Sequence, residues 1–451
     1  MGRAEAQSTA DNMTDSMEAQ IQHTPLLSGD IIEQTAEHTL PQYGFLGEQT
    51  NLLPGSPESQ LFLNTNVPLS AFICGVQGSG KSHTTSCFLE NALIPSRDIG
   101  ELKNPLSALV FSYGDFNSDG AGFSISEAAF LAAPHSKFPR HPCVMKITVL
   151  VSPSNPAIKK LYARIPNVTV MSFKIKPHTL DISTMLTLMA VDESSATPLY
   201  MAEVTRILRD INVKRNGVFD YNHFRKQLKK CDFTPSQLAM LTMRLDSLES
   251  FMDIDNTCPE PEFRSGEVTI MDMSCPFVDA NTACILFKAS RYRTVGLQRY
   301  LQSKVPGKMV VLDEAHKYML KVPGAKALND QLFRIIRLER HWGARVIIST
   351  QEPVLLTDLI PLCSIVVIHR FSSPEWFAAL KKHIHMASHD HNELLRHIER
   401  LLTGHALIYS AKAILGRTET GTLVTGTGKL MEVKMRMRVT SDGGQSKMSV
   451  N

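Results

Sequence analysis

The feature that most constrains the fold of this chain is a glycine-rich octapeptide that follows the apolar run of residues 69–74. The octapeptide has the G-x-x-x-x-G-K-S spacing of a phosphate-binding loop and reads Gly75-Val76-Gln77-Gly78-Ser79-Gly80-Lys81-Ser82. In such a loop a strand turns sharply into a helix whose first N–H groups point at phosphate oxygens. Gly75 and Gly80 lack the Cβ atoms that would block this approach. The spacing predicts that these eight residues, together with His83, bind a nucleotide.

The residues on both sides of this loop have the composition that the motif requires. Phe72 and Ile73 lie in an apolar strand, and residues 84–89 are typical of a helix. In such a site Lys81 reaches the β and γ phosphates, and the Ser82 hydroxyl is a ligand of Mg²⁺. We therefore expect ATP and Mg²⁺ as the bound groups.

A pair of carboxylates lies far along the chain, at the end of the apolar run of residues 309–312. Asp313 and Glu314 follow this run directly, as the Walker B carboxylates do in P-loop enzymes. Asp313 is predicted to organise the shell of the magnesium ion, and Glu314 to orient and deprotonate an attacking water. A simple helix cap is the alternative for these two side chains.

A third candidate element is the helical stretch of residues 333–343 with the apolar strand after it, which ends at Gln351. If this strand neighbours the strand of Asp313, Gln351 senses the γ phosphate or positions water; a plain polar strand end is the alternative. Arg340 lies near one face of the helical stretch with two other arginines. It is a candidate arginine finger, with a surface salt bridge as the equal alternative.

Eight short apolar runs recur along the chain and alternate with helical stretches. Such runs are typical of buried parallel strands, which predicts an α/β protein with a mainly parallel sheet. The runs lie at residues 106–113, 146–151, 168–173, 268–271, 309–312, 345–349, 365–368 and 406–409. Near the C-terminus, residues 433–439 alternate apolar and basic side chains, which predicts a two-faced strand.

A helical insertion is expected at about residues 180–262. Apolar residues at helical spacing indicate one helix near residues 204–211, and a capping box at Thr234 and Gln237 begins another. The insertion is rich in lysine and arginine. These cations form either a solvated face or a contact surface.

The charge of the chain is unevenly distributed. The first sixty residues contain one strong base, Arg3, against nine carboxylates, which leaves 46 Lys and Arg against 35 Asp and Glu in the remainder. The remainder therefore carries a formal charge of about +11, against +3 for the whole chain. Residues 1–62 are predicted to be an acidic, largely disordered arm and residues 441–451 a C-terminal tail. A basic body suits a polyanionic partner.

The cysteine pattern and the hydropathy favour an intracellular, soluble protein. The eight cysteines are scattered and contain no C-x-x-C pair, so reduced thiols are expected. No run approaches the roughly 18 apolar residues of a membrane span, and the N-terminus has no apolar signal core. Cytoplasm and nucleus are not distinguished.

The chain resembles the HerA/FtsK-type P-loop ATPases, in particular stand-alone HerA-like proteins, over roughly residues 65–440. The resemblance is carried by the phosphate-binding loop, residues 311–316, residues 340–343 leading into 349–353, and residues 368–374. It implies a HerA/FtsK-like ATPase domain at residues 63–440 with a RecA-like core. It also implies a hexameric ring that acts on double-stranded DNA, with an arginine supplied by the neighbouring subunit. Arg340 is the matching position and Arg370 the second candidate.

These observations lead to one main hypothesis and two rivals. The main hypothesis is ATP hydrolysis coupled to movement of DNA. The alternative is a nucleotide-gated switch or scaffold that holds a protein partner through the acidic arm or the basic insertion. A small-molecule kinase is disfavoured because no arginine-rich lid follows the phosphate-binding loop. Residues 313–316 spell DEAH, but the chain after Thr350 is too short for the second RecA-like domain of such helicases.

Overall fold

A single sheet of sixteen short strands runs through the described part of the protein. The computed structural model describes residues 16–35, 37–114, 124–177, 185–186, 199–214, 219–288, 296–384 and 391–443. The strands are β1 (Leu26–Ser28), β2 (Gln42–Gln49), β3 (Gln60–Leu63), β4 (Ser70–Cys74), β5 (Gly100–Leu102), β6 (Ser107–Ser112), β7 (Ile147–Val151), β8 (Val168–Ser172), β9 (Val268–Asp272), β10 (Lys308–Leu312), β11 (Ala344–Thr350), β12 (Ile365–Ile368), β13 (His405–Tyr409), β14 (Ile414–Arg417), β15 (Leu423–Thr425) and β16 (Leu430–Met435).

The helices lie between these strands. They are α1 (Gly29–Gln34), α2 (Lys81–Leu93), α3 (Pro156–Tyr162), α4 (Leu199–Lys214), α5 (Tyr221–Leu228), α6 (Pro235–Ser250), α7 (Ala280–Lys288), α8 (Leu297–Gln302), α9 (Pro323–Arg337), α10 (Glu339–Trp342), α11 (Pro374–Lys381) and α12 (His391–Arg400). In the part of the chain that the structure describes, no helix is both long and apolar enough to cross a bilayer.

Eight neighbouring parallel strands form the centre of the sheet, in the order β12-β4-β11-β10-β6-β9-β7-β8. Successive residues of β4 belong to different buried clusters: Phe72 and Cys74 to the one that includes residues of α4, α6 and α9, and Ala71 and Ile73 to the one that includes residues of α2. Both faces of the sheet are therefore covered, which explains why the central strands are continuously apolar. The prediction of an α/β fold with a mainly parallel sheet, consistent with a RecA-like core, is confirmed.

Beyond β12 the sheet continues with antiparallel strands. β13 pairs antiparallel with both β12 and β16, and β16 pairs antiparallel with β2. The prediction that residues 406–409 form a further parallel strand is therefore wrong. The run is apolar because β13 is buried on both faces: Leu407 belongs to one buried cluster, and Ala406 and Ile408 belong to the other. Such burial makes a strand apolar whichever direction it takes.

The three strands between residues 26 and 63, β1, β2 and β3, belong to this sheet. β2 pairs with β3, β5 and β16, and β3 pairs with β1. Leu26, Leu46 and Leu61 are completely buried. The expectation of a largely disordered arm is wrong for these residues, because their apolar side chains outweigh the acidic composition; residues 1–15 lie outside the described part of the chain.

Helices occupy the described residues between β8 and β9, where the insertion was expected. α6 begins with the predicted capping box: Gln237 N–H donates to Thr234 Oγ1 at 3.3 Å, and Thr234 N–H donates to Gln237 Oε1 at 3.0 Å. The two reciprocal bonds satisfy N–H groups that a helix start leaves unpaired. Leu241, Leu245 and Leu248 of α6 pack into the cluster on one face of the sheet.

A buried ion pair fixes the C-terminal segment to α2. Arg436 Nη1 donates to Glu90 Oε2 at 2.7 Å, and the Glu90 side chain is completely buried. The backbone N–H groups of Val439 and Thr440 donate to Glu90 Oε1 at 3.1 and 2.9 Å. The predicted two-faced strand thus ends at Met435, and its continuation turns its basic side chains inwards.

We predict that Arg436→Ala lowers the free energy of unfolding by about 3–5 kcal/mol, because it leaves the buried Glu90 carboxylate without its cation. Chemical denaturation of the two proteins measures the difference. Lys434→Ala is the matched control, since Lys434 is exposed on the same segment, and it should change stability by less than about 0.5 kcal/mol. Equal stability of Arg436→Ala and wild type would show that the pair does not hold the segment.

Candidate nucleotide-binding site

The candidate site lies where three parallel strands end at the same edge of the sheet. β11 lies between β4 and β10 and pairs in parallel with both, with Thr350 opposite Cys74. The phosphate-binding loop follows β4, Asp313 and Glu314 follow β10, and Gln351 follows β11. Motifs that are far apart in the sequence therefore meet, as expected for a parallel sheet.

The loop between β4 and α2 has the backbone that only its glycines adopt readily. Gly75, Gly78 and Gly80 have φ angles of 154°, 72° and 115°. A Cβ atom on Gly75 would lie 2.6 Å from the Cβ of His369 and 2.7 Å from Ser79 Oγ. The first glycine of the motif is thus required by packing as well as by conformation.

His369 packs beneath the loop and is completely buried. Its Nε2 lies 2.9 Å from Thr84 Oγ1, and its Nδ1 lies 3.0 Å from the carbonyl oxygen of His405. Burial lowers the pKa of His369 to about 3, so the ring is neutral. Nδ1 must then donate to the carbonyl, and Nε2 accepts the Thr84 hydroxyl. The sequence analysis included His369 in the motif of residues 368–374 but gave this residue no role. In the structure, His369 packs against the phosphate-binding loop and supports it.

Lys81 lies between the loop and the carboxylates. Its ammonium donates to the Val76 carbonyl at 3.1 Å and lies 3.9 Å from Glu314 Oε1. Burial lowers the pKa of Lys81, and the charges of Glu314 and Asp313 oppose that shift. The structure therefore brings together the lysine and the glutamate that the sequence predicted to share one site.

Asp313 has a buried carboxylate oxygen, Oδ1, with no hydrogen-bond partner among the described residues. Burial, together with repulsion from Glu314 and Glu127, raises the pKa of this carboxyl to about 7. An unpaired buried carboxylate oxygen is a suitable ligand for a hard divalent cation. Asp313 and the half-buried Ser82 are the residues that would hold Mg²⁺.

The scarcity of protein ligands is compatible with this ion. Within the described ranges, no group of three or more His, Cys, Asp or Glu side chains is arranged to hold a metal. Mg²⁺ is usually bound by one or two protein groups and completes its shell with waters and phosphate oxygens. When bound, it would neutralise charge on the phosphates.

Glu314 is surrounded by donors. Its backbone is left-handed, with φ 48° and ψ 45°, a conformation uncommon for a residue other than glycine. Gln351 Nε2 donates to Glu314 Oε2 at 2.7 Å. The same oxygen lies 3.6 Å from His316 Nε2 and 3.8 Å from Lys317 Nζ. Gln351 is therefore brought to Glu314, as its proposed role requires.

His316 is a member of this site that the sequence indicated only through its place after the carboxylates. Its Nδ1 accepts a hydrogen bond from the Gln351 backbone N–H at 3.3 Å, so the proton of the neutral ring is on Nε2 and faces Glu314. Burial lowers the pKa of His316. The ring thus connects the ends of β10 and β11.

The two arginine candidates lie at opposite edges of the sheet. Arg370 is exposed at the end of β12, and its carbonyl accepts a hydrogen bond from Val76 N–H at 3.0 Å. Arg340 is exposed in α10, before the amino end of β11. The seven residues of β11 separate Arg340 from Gln351 by roughly 20 Å. The structure therefore brings Arg370, but not Arg340, to the site of its own chain.

His83, the last residue predicted to bind the nucleotide, contacts the C-terminal segment. His83 Nε2 lies 2.7 Å from the carbonyl oxygen of Arg436. His83 therefore joins the first turn of α2 to the C-terminal segment, while Gln77 and Gly78 form the exposed tip of the loop.

Comparison with known proteins gives matches among solved structures; no protein-family model and no curated protein matches the sequence. VirB4 of Thermoanaerobacter pseudethanolicus is similar at 9% identity, over 87% of this chain and 96% of that chain, with a TM-score of 0.48. The genome packaging NTPase B204 from Sulfolobus turreted icosahedral virus 2, in complex with ATP-gammaS, has 12% identity, coverage of 80% and 96%, and a TM-score of 0.28. The cytoplasmic domain of the Thermomonospora curvata type VII secretion ATPase EccC has 10% identity, coverage of 88% and 28%, and a TM-score of 0.32.

B204 is a genome packaging NTPase and EccC a secretion ATPase. At these identities and TM-scores the similarities do not assign a role to this chain, and the assignment of the site rests on its own geometry. The loop of residues 75–82, the carboxylates after β10 and the glutamine after β11 occupy one edge of the sheet, the arrangement expected of a P-loop nucleotide-binding site.

We predict that Gly75→Ala raises the Kd for ATP more than about tenfold, because the added Cβ forces the loop away from His369. Titration calorimetry measures the change. Gly421→Ala is the control: its φ is 83° and no atom lies within 4 Å of the added Cβ, so it carries the cost of a positive φ without a clash. If both variants bind ATP as wild type does, the packing of the loop on His369 is not required.

Proposed function

We propose that this protein hydrolyses ATP. The observation that carries the proposal is the contact of Glu314 with both Lys81 and Gln351 beside the phosphate-binding loop. In the proposed reaction the Glu314 carboxylate accepts a proton from water while the water oxygen attacks the γ phosphorus. The bond from the γ phosphorus to the bridging oxygen breaks, and ADP and phosphate leave.

The other residues of the site hold groups in place. The loop N–H groups and Lys81 bind the phosphates, and Gln351 orients the Glu314 carboxylate through the 2.7 Å hydrogen bond. His316 fixes the backbone of Gln351 and adds a second donor beside Glu314. Because phosphoryl transfer depends mainly on positioning and charge, this set of contacts is what hydrolysis needs from a protein.

We further propose that hydrolysis is coupled to double-stranded DNA. Support comes from the basic remainder of the chain and from the helices between β8 and β9. In these helices Arg206 and Arg225 are paired with acidic side chains, and the half-buried Arg244 donates to the Tyr200 hydroxyl. Five further cations in these helices or directly after α5 are exposed: Arg209, Lys214, Lys226, Lys229 and Lys230. Exposed lysines and arginines on one set of helices suit phosphate backbones. The rival reading is a nucleotide-gated switch that binds a protein partner.

The position of Arg340 supports a ring. Arg340 is exposed and lies at the edge of the sheet away from its own phosphate-binding loop, so it can serve as an arginine finger only in the site of a neighbouring subunit. Such a finger stabilises charge on the transferred phosphoryl group. A closed ring places every Arg340 beside a neighbour's site, and the resemblance to HerA/FtsK-type ATPases suggests six subunits.

We predict that Glu314→Gln binds ATP with a Kd like that of wild type and hydrolyses it at least about 100-fold more slowly, since it loses the general base. Lys81→Ala should lose both binding and turnover. Steady-state hydrolysis is measured with and without linear double-stranded DNA at low and moderate salt. Stimulation by DNA that disappears in Lys81→Ala supports the motor. Full turnover in Glu314→Gln would refute the assignment, and turnover indifferent to DNA would favour the switch.

We predict that Arg340→Ala keeps ATP binding but loses most of its ATP turnover. Mixing the Arg340→Ala protein with the Lys81→Ala protein should restore part of the turnover. In a mixed ring, an Arg340→Ala subunit keeps Lys81 and receives Arg340 from its Lys81→Ala neighbour. Hydrolysis by the two variants, alone and mixed, tests this. Arg337→Ala is the control, because Arg337 lies 5.7 Å from the Phe333 ring on the same surface and should keep full turnover. If the mixture shows no more turnover than the two variants alone, Arg340 does not act as an arginine finger in the site of a neighbouring subunit.

A further inference from the structure

The order of the strands determines the side from which a bound nucleotide leaves the phosphate-binding loop. Glu314 and Gln351 lie on the side of β10 and β11. The γ phosphate must face these residues if Glu314 is to activate water. The α phosphate, the ribose and the base must then extend to the other side of β4, where β12, β13 and β16 follow in that order.

Two chain segments reach the loop on that side. Gly404 lies in the turn before β13, and its N atom would be 3.3 Å from a Cβ atom on Gly80. The C-terminal segment follows β16, where Met435 N–H donates to the Gly404 carbonyl at 2.9 Å and the Arg436 carbonyl lies 2.7 Å from His83 Nε2. The first turn of α2, the turn at Gly404 and the C-terminal segment are therefore in contact.

Each of these two segments exposes one large apolar side chain, within two residues of its contact with Gly80 or His83. Leu402 is 66% exposed and Met437 is 46% exposed, although both belong to segments whose other apolar residues are mostly buried. The exposure of Met437 follows from the inward direction of Arg436, whose guanidinium also donates to the Met437 carbonyl at 3.0 Å. Apolar side chains of this size are suited to the face of a purine ring, which water solvates poorly.

We propose that Leu402 and Met437 form the platform on which the base of the bound nucleotide lies. This inference rests on the proposed binding of ATP. The two side chains cover the base from the turn before β13 and from the segment after β16. They contribute to the affinity for a nucleoside triphosphate and not to the affinity for its phosphates alone.

The experiment compares ATP with inorganic tripolyphosphate, which fills the loop but has no base. Kd values for both are measured by titration calorimetry on the full chain with Mg²⁺. Leu402→Ala and Met437→Ala should each raise the Kd for ATP about three- to tenfold and leave the Kd for tripolyphosphate unchanged. Leu53→Ala and Met145→Ala, at residues 76% and 75% exposed and remote from the loop, are the matched controls and should change neither value.

A tryptophan gives a second, direct readout. In Leu402→Trp, ATP should quench fluorescence beyond the change seen in wild type, and tripolyphosphate should not, because only ATP brings a ring that stacks on the indole. Unchanged Kd values for ATP in both alanine variants, with no quenching in Leu402→Trp, would overturn the platform while leaving ATP binding intact. Wild-type protein that binds neither ligand would instead refute the proposed function and the platform with it.

Discussion

The parallel pairing of β11 with β4 on one side and with β10 on the other is the constraint on which the site depends. It ends three strands at one edge, so that the phosphate-binding loop, Glu314 and Gln351 meet although they are distant in sequence. A shift of one residue in this register would move every side chain of β11 to the opposite face of the sheet. The buried, apolar faces of the strand make such a shift costly, so the packing that stabilises the sheet also fixes the distances in the site.

The polar groups beneath the loop show how this site is stiffened. The ring of His369 is completely buried, which disfavours its charged form, and both of its nitrogens have partners. A buried polar group without partners would cost roughly 1–3 kcal/mol, so the pairing with Thr84 and with the carbonyl of His405 strongly favours one position of the ring. That position in turn supports Gly75 and Gly80. The candidate site is therefore supported by the hydrogen bonds of the neutral His369 ring under the loop and by the ion pair of Lys81 with Glu314 on its other side.

The sequence predicted which residues of the site lie together better than it predicted the layout of the sheet. The loop and the carboxylates after β10 are local patterns, because phosphate binding and metal binding need fixed residue types at fixed spacing. The position of Gln351 followed from one added assumption, that its strand neighbours β10, and the structure meets it. The role of His369 was not predictable from the sequence. It depends on the pairing of β12 with β4, which places a residue from a distant part of the chain under the loop.

The errors in the fold prediction also arise where the structure depends on residues that are distant in sequence. Residues 42–62 were assigned to an acidic arm because composition averages over a segment, whereas burial depends on the few apolar side chains that face a partner strand. Likewise, Arg436 and Arg438 alternate with apolar residues, a pattern that predicts a two-faced strand. Their burial depends on Glu90 and Glu127, which come from α2 and from a 3-10 helix far away in sequence. Patterns within a strand cannot reveal such partners.

The C-terminal segment links these arguments. The carboxylate of Glu90 draws Arg436 inwards, and the alternation of side chains along an extended segment then turns Met437 outwards, towards the side of the loop that faces away from Glu314. One buried ion pair therefore stabilises α2, the helix that carries Lys81, and at the same time presents an apolar side chain beside its first turn. The two ends of a nucleotide would meet opposite environments: charges and hydrogen-bond donors at the γ phosphate, and aliphatic side chains at the base. Because both environments are fixed to α2, binding of the phosphates would restrict the positions available to the base, and binding of the base would restrict those available to the phosphates.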